Sequence, residues 1–135
     1  DVYKRQIQGF DIDGDVIKAA RENAKLAGVD HLIHLQQRPV SALSHPKKYG
    51  FIVTNPPYGE RLEEKKDLPE LYRTLGARYE ALDSWSMYLI TSYEDAQRCL
   101  GRKADKNRKI YNGMLKTYFY QYQGPKPPRR SKAVQ

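Results

Sequence analysis

Two consecutive prolines constrain this chain more than any other feature. The run Phe51-Ile52-Val53-Thr54 is short, apolar and β-branched, and it is broken at once by Asn55-Pro56-Pro57-Tyr58-Gly59. Such a run reads as a buried strand. Proline lacks the N–H that a ladder needs and has a fixed φ, so the backbone must leave the sheet at Pro56, and the pair stiffens the departing segment. The sequence thus sets a rigid polar turn on the carboxyl end of a strand, and in open parallel sheets that end is where ligands collect.

The remaining elements fall around this strand. Residues 7–13 read as a short strand that ends in acid, followed by a helix for which Asp13 is the N-cap and Asp15 favours the positive end of the dipole. Val16, Ile17, Ala20, Ala24 and Ala27 give that helix a narrow apolar stripe, and Gly28 closes it. Residues 31–36 suit a second strand, and 43–49 a loop or weak helical turn. Residues 67–81 predict a helix with Leu68, Leu71, Tyr72, Leu75 and Tyr79 inward, 87–91 a strand and 94–100 a short helix. Lys109-Ile110-Tyr111, a turn at Asn112-Gly113 and the run 115–123 predict an antiparallel hairpin. Alternating strand and helix followed by a hairpin gives an α/β chain with a mostly parallel sheet and an antiparallel edge.

At 135 residues, 39% hydrophobic and 30% charged, the chain reads as soluble and globular. No apolar run approaches the roughly 20 residues that span a bilayer, so a cytoplasmic protein without membrane contact is expected. The single cysteine, Cys99, excludes an intramolecular disulfide and a cysteine-cluster metal site; it reads as a small half-buried helix residue, and no metal is expected. Residues 1–6 are polar where a buried strand would be wanted and read as a leader foreign to the domain, which then spans 7–124. The tract Pro125-Lys126-Pro127-Pro128-Arg129-Arg130 fits neither helix nor sheet, so 125–135 is expected to be a disordered basic tail.

Charge is distributed unevenly. Residues 1–100 carry 14 Lys and Arg against 15 Asp and Glu, whereas 101–135 carry 10 basic residues against Asp105 alone. Clustering of this kind suits a polyphosphate partner, with a solubilising tail as the alternative. Tyr118, Tyr120 and Tyr122 alternate and so share one strand face, a pattern that favours core packing over a platform for bases.

Two polar groups lie at predicted strand ends. Asp11, with Ile12 beside it, could accept the hydroxyl hydrogens of a cofactor ribose, or could merely cap the local turn. Asn55-Pro56-Pro57-Tyr58 suits methylation of an aromatic amine. The lone pair of such a nitrogen is delocalised, and it becomes nucleophilic once both amine hydrogens are held by acceptors. The Asn55 side-chain carbonyl and the Pro56 backbone carbonyl can each take one, Pro57 keeps them rigid, and Tyr58 offers a ring for the extruded base. The alternative is a stiff strand-exit turn with a self-satisfied Asn. Gly59, Glu60 and Arg61 would lie at the mouth of that site, with Glu60 on the base edge and Arg61 on a phosphate, unless the two form an ordinary solvated ion pair.

Gly9-Phe10-Asp11-Ile12-Asp13, Ala20-Arg21-Glu22-Asn23-Ala24, Asn55-Pro56-Pro57-Tyr58-Gly59-Glu60-Arg61-Leu62 and Ala104-Asp105-Lys106-Asn107-Arg108-Lys109 with Ile110-Tyr111-Asn112-Gly113 together resemble the class I methyltransferase domain of bacterial 23S rRNA guanine-N2 methyltransferases. The resemblance runs over about residues 7 to 124. It implies a Rossmann-like sheet, S-adenosyl-L-methionine as cofactor with Asp11, Ile12 and Asn55 in contact with it, methyl transfer to guanine N2 in ribosomal RNA, and a THUMP-type RNA-binding domain upstream. The four-residue motif is shared with adenine-N6 and glutamine-N5 methyltransferases; the Gly-Glu-Arg extension and the hairpin select the RNA group. An adenine-N6 DNA methyltransferase and a non-catalytic RNA-binding fragment remain the alternatives.

Two departures follow from the same resemblance. The family's first strand and Gly-rich cofactor loop would lie before Ile7, and Gln36-Gln37-Arg38-Pro39 stands where many relatives place the acidic partner of the cofactor adenine. That first strand would sit between the strand ending at Asp11 and the strand ending at Asn55, so its absence leaves two unpaired edges. The 135-residue chain alone is therefore expected to be poorly stable and inactive.

Overall fold

The computed structural model describes residues 7–59 and 65–129, and it divides into two compact units on either side of the Leu43–Ser44 link. In the first unit, β1 (Ile7–Asp11), α1 (Gly14–Leu26) and β2 (Ile33–Gln37) form a β-α-β unit whose strands pair in parallel from Ile7↔Ile33 to Asp11↔Gln37. Asp13 caps α1 through its side chain, which accepts from the Asp15 N–H at 2.9 Å. Gly28, at φ +73°, ends it as expected. The chain then makes a 3-10 turn at Asp30–Leu32, where the Leu32 N–H reaches the Val29 carbonyl at 2.9 Å. This turn uses up His31 and Leu32, so β2 begins two residues later than their apolar pattern suggested.

The second unit contains β3 (Phe51–Thr54), α2 (Leu68–Ala81), β4 (Ser86–Thr91), α3 (Ala96–Leu100), β5 (Lys106–Asn112) and β6 (Leu115–Tyr122). The strand order is β3-β4-β6-β5, with β3 and β4 parallel and the other two pairings antiparallel. Over the two units two ladders are parallel and two antiparallel, and the α/β arrangement with a C-terminal antiparallel hairpin is the one expected. The hairpin is longer than expected because β5 starts at Lys106: the Asp105 N–H donates to the Gln121 carbonyl at 2.9 Å, and the Asp105 carboxylate accepts from the Gln123 N–H at 2.7 Å. The hairpin loop is Gly113-Met114, one residue beyond the expected turn, because Asn112 pairs with Leu115. Gly113 stands at φ +64°, the conformation that the first central position of a II′ turn demands.

One face of this sheet holds the core. Met87, Leu89 and Thr91 of β4 and Tyr120 and Tyr122 of β6 are buried against Leu68, Tyr72, Leu75 and Tyr79 of α2 and Ala96, Cys99 and Leu100 of α3. Tyr120 and Tyr122 of the stripe are therefore core packing, whereas Tyr118 is half-buried, and Cys99 is buried rather than half-buried. Gly76 lets α3 approach closely, since a Cβ there would strike the Leu100 carbonyl.

The opposite face is apolar and open. Phe51, Tyr88 and Phe119 line up with ring centroids 6.3 Å apart at each step, yet Phe51 is 69% and Val53 79% exposed. The strand expected to be buried on both faces is an edge strand covered on one, with Ile52 and Thr54 half-buried. Composition specified an apolar strand; what lies against its second face is a non-local matter. An open apolar face of this kind marks a surface normally covered. Expressed by itself, the 135-residue chain should bind a hydrophobic-surface dye strongly and melt over a broad range; a sharp calorimetric transition without dye binding would contradict this.

Candidate active site

Asn55 leaves β3 at the carboxyl edge of the second sheet, and the segment after it is held from below. The Pro57 carbonyl accepts a hydrogen bond from the Tyr72 hydroxyl at 3.0 Å. That hydroxyl also lies 2.6 Å from Thr91 Oγ1, which in turn accepts from the Tyr93 N–H at 3.0 Å. A carbonyl cannot donate, so the single Tyr72 proton points to Pro57 and Thr91 must donate to Tyr72. Every proton in the relay is thereby assigned. Tyr72 and Thr91 are both 0% exposed. Burial pushes the Tyr72 phenol up to about 12, so it stays protonated and keeps its hold on the loop. The Tyr93 ring covers Tyr72 at 4.9 Å between centroids.

With the Pro57 carbonyl drawn inward, the neighbouring acceptors are spared. Asn55 is exposed, and among the described residues neither its side chain nor the Pro56 carbonyl makes a hydrogen bond. Tyr58 and Gly59 are half-buried. Gly59 has φ +87°, and a Cβ there would sit 2.9 Å from the buried Leu68 Cδ1, so the exit bend admits only glycine without strain. Glu60 and Arg61 lie outside the described residues.

Sequence reasoning placed Tyr72 only on the inner face of its helix and said nothing of Thr91. The available signal was chemical: a tyrosine among leucines at buried positions needs a partner for its hydroxyl, and so does a threonine at the buried end of a strand.

In the first unit Asp11 closes the carboxyl end of β1. Its Oδ1 accepts from the Asp13 N–H at 2.8 Å, so the local-cap role is real for one oxygen; Oδ2 has no hydrogen bond among the described residues. Ile12 is 70% exposed, and its carbonyl accepts from Gln37 Nε2 at 3.1 Å. Gln37, in the stretch where resembled proteins carry an acid, therefore braces the Asp11 turn from the end of β2. A Cβ at Gly14 would come within 2.8 Å of Gln37 Oε1, which explains a glycine at the first position of α1.

Two clefts of the second unit lie elsewhere. A cavity of about 310 Å³ is bounded by Gly50, Phe51, Ser86, Tyr88 and Pro125, and one of about 200 Å³ by Tyr79, Trp85 and Arg102. Both sit at the amino ends of β3 and β4, away from Asn55.

Parallel strands that each end in a polar turn, a helix between them and a terminal hairpin define a class I methyltransferase fold. The chain belongs to the RMKL-like methyltransferase domain family, which it matches over residues 1–121. It is 45% identical over 122 residues to a Bacillus subtilis (strain 168) protein provisionally named RNA methyltransferase YpsC, covering 90% of this chain and 32% of that one. It is 39% identical over 116 residues to the ribosomal RNA large subunit methyltransferase K/L of Legionella pneumophila (strain Corby), covering 85% of this chain and 16% of that one. A crystal structure of SMU.472, provisionally a methyltransferase and complexed with SAH, superposes with a TM-score of 0.83 at 39% identity, over 90% of this chain and 32% of that one. The chain thus spans a third or less of the length of these relatives.

The relay is testable without any assay of activity. Tyr72→Phe and Thr91→Val should each cost about 1–3 kcal/mol of stability, because each leaves a buried polar group without its partner. The double variant should cost less than their sum. Strict additivity in denaturant unfolding of the full-length protein would show that the two hydroxyls are not coupled.

Proposed function

We propose that this chain carries the catalytic end of an S-adenosyl-L-methionine-dependent methyltransferase that modifies the exocyclic N2 of a guanine in ribosomal RNA. The observation that supports it best is the strand-exit turn in which the Pro57 carbonyl is tied to Tyr72 while Asn55 and Pro56 keep their oxygens unbonded among the described residues. The names of the relatives, RNA methyltransferase and ribosomal RNA large subunit methyltransferase, favour RNA as the substrate. SAH in the SMU.472 structure is the demethylated form of the proposed cofactor.

Bound, the cofactor supplies a methyl group on a sulfonium. The second carboxylate oxygen of Asp11, with Ile12 alongside, suits a ribose diol at the carboxyl end of β1, the edge where such sheets take nucleotides. Asn55 and Pro56 accept the two hydrogens of the target amine and so direct its lone pair away from the ring. Because these acceptors are fixed beforehand, the positive charge that develops on nitrogen is met without reorganisation. Tyr58 stacks the extruded base, a contact worth about 1–3 kcal/mol. Gly59, and Glu60 and Arg61 next in the sequence, are the further residues proposed to contact the substrate. An upstream THUMP-type domain would supply further RNA contacts, and among the described residues no helix is long and apolar enough to cross a membrane, which suits a cytoplasmic enzyme.

No residue in this scheme acts as a strong base, so the rate should not track a carboxylate or histidine titration. In the full-length protein Asn55→Ala is expected to lower the methylation rate about 100-fold or more. Mass analysis of nucleosides from matched RNA and DNA oligonucleotides reads both rate and product: N2-methylguanosine fits the proposal, N6-methyladenosine in DNA transfers the site to the rival substrate, and an unchanged Asn55→Ala rate removes the motif from catalysis.

A further inference from the structure

β6 pairs with β4 only as far as Tyr118, which stands opposite Thr91 at the end of β4. Beyond that rung β5 and β6 continue alone as a two-stranded ribbon over residues 110–117, closed by Gly113-Met114. β3 and β4 run in the same direction, so the ribbon overhangs the same carboxyl edge at which Asn55 leaves the sheet. Three residues of rise carry it about 10 Å past Thr91, and β6 lies two strand spacings, also about 10 Å, from β3.

The ribbon face is specific. Lys109 pairs with Tyr118 and Tyr111 with Lys116, on rungs two residues apart, so two lysines and two tyrosines form a checkerboard on one face. Lys116 Nζ stands 5.2 Å from the centre of the Tyr118 ring. Tyr118 is stacked at 5.4 Å and 8° on Tyr120, which is buried in the core, while Tyr111 is 68% exposed. Aromatic support therefore reaches from the core to the base of the ribbon, with Lys116 over the last supported ring and Tyr111 open beyond it. The only acid after residue 100, Asp105, is taken up by Arg102 and the Gln123 N–H, and Glu94 is the carboxylate that Lys116 feels.

Cations in alternation with flat rings match a ligand that alternates phosphates with unstacked bases. An acidic peptide would use the lysines and leave Tyr111 idle; a duplex would hide the bases that the rings could stack. We propose that this ribbon face binds the single-stranded RNA segment adjoining the target base. The identity of the strand as substrate rests on the function proposed above; the binding itself does not.

Fluorescence anisotropy of the full-length protein with a labelled single-stranded RNA of roughly 12 nucleotides, its duplex and heparin tests this over a range of salt. Replacing Lys109 and Lys116 together by Ala should lower the slope of log affinity against log salt by about 1.4, or 0.7 for each phosphate contact. Tyr111→Ala should weaken the single strand about 10-fold while leaving heparin unchanged. An unaltered slope, an equal loss for heparin, or duplex bound as well as single strand would overturn the proposal. Asn55→Ala separates the two readings. If the ribbon variants bind normally while Asn55→Ala alone stops methylation, the ribbon surface is wrong; if they lose RNA while no variant or parent methylates, the catalytic reading is wrong and the surface stands.

Discussion

The hydrogen bond from Tyr72 to the Pro57 carbonyl is the interaction on which the candidate site depends. Diproline alone makes a turn stiff, but a stiff segment can still pivot about the residues on either side. Tyr72 removes that freedom by fixing the second proline from within the core, and Thr91 fixes Tyr72 in turn through the only orientation that its proton leaves open. The position of an exposed loop is thus determined by groups that are themselves 0% exposed. Protein interiors deform little, so a loop anchored in this way inherits the precision of the core.

The same principle divides the two ends of the second sheet. At the amino end the chain is stitched shut: Trp85 Nε1 donates to the Lys47 carbonyl at 2.8 Å, the Gly124 N–H donates to Ser86 Oγ at 2.9 Å, and Gly50 and Gly124 admit the approach of Trp85 and its carbonyl. Those glycines serve packing. At the carboxyl end, among the described residues, the polar turn is tied at Pro57 alone, by Tyr72, and the ribbon is held near its base, where Ser92 Oγ lies 3.1 Å from Thr117 Oγ1. The two clefts at the amino end are gaps beside a closure.

What could be read from the sequence was what local chemistry decides. Asp13 as cap, Gly28 as helix stop, the proline-terminated strand and the hairpin near Gly113 all follow from backbone preferences of one or two residues. What could not be read depends on partners distant in the chain. The exposure of Phe51 and Val53, the early start of β5 through Asp105 and Gln121, and the bond from Gln37 to the Asp11 turn each involve residues that no local pattern links. Asp11 illustrates the limit well. The cap was legible and the structure shows one oxygen in that role; the ribose contact proposed for Asp11 concerns the other oxygen.

The uneven charge of the chain acquires meaning only through this topology. Ten basic residues after position 100 could as well have been spread over a solvated tail. Two of the ten are placed otherwise: β5 and β6 outlast β4 by three rungs, and the pairing register puts Lys109 and Lys116 beside Tyr118 and Tyr111 on the face continuous with the core. A ribbon that merely closed the sheet could have turned at Thr91, since β4 offers no further ladder there. Its extra length is supported by stacking from buried Tyr120 outward, and the tip keeps its aromatic surface in water. Exposing that surface opposes folding, whereas a polynucleotide laid across it would bury the rings and neutralise the lysines together, so binding offsets what the isolated hairpin leaves unsatisfied.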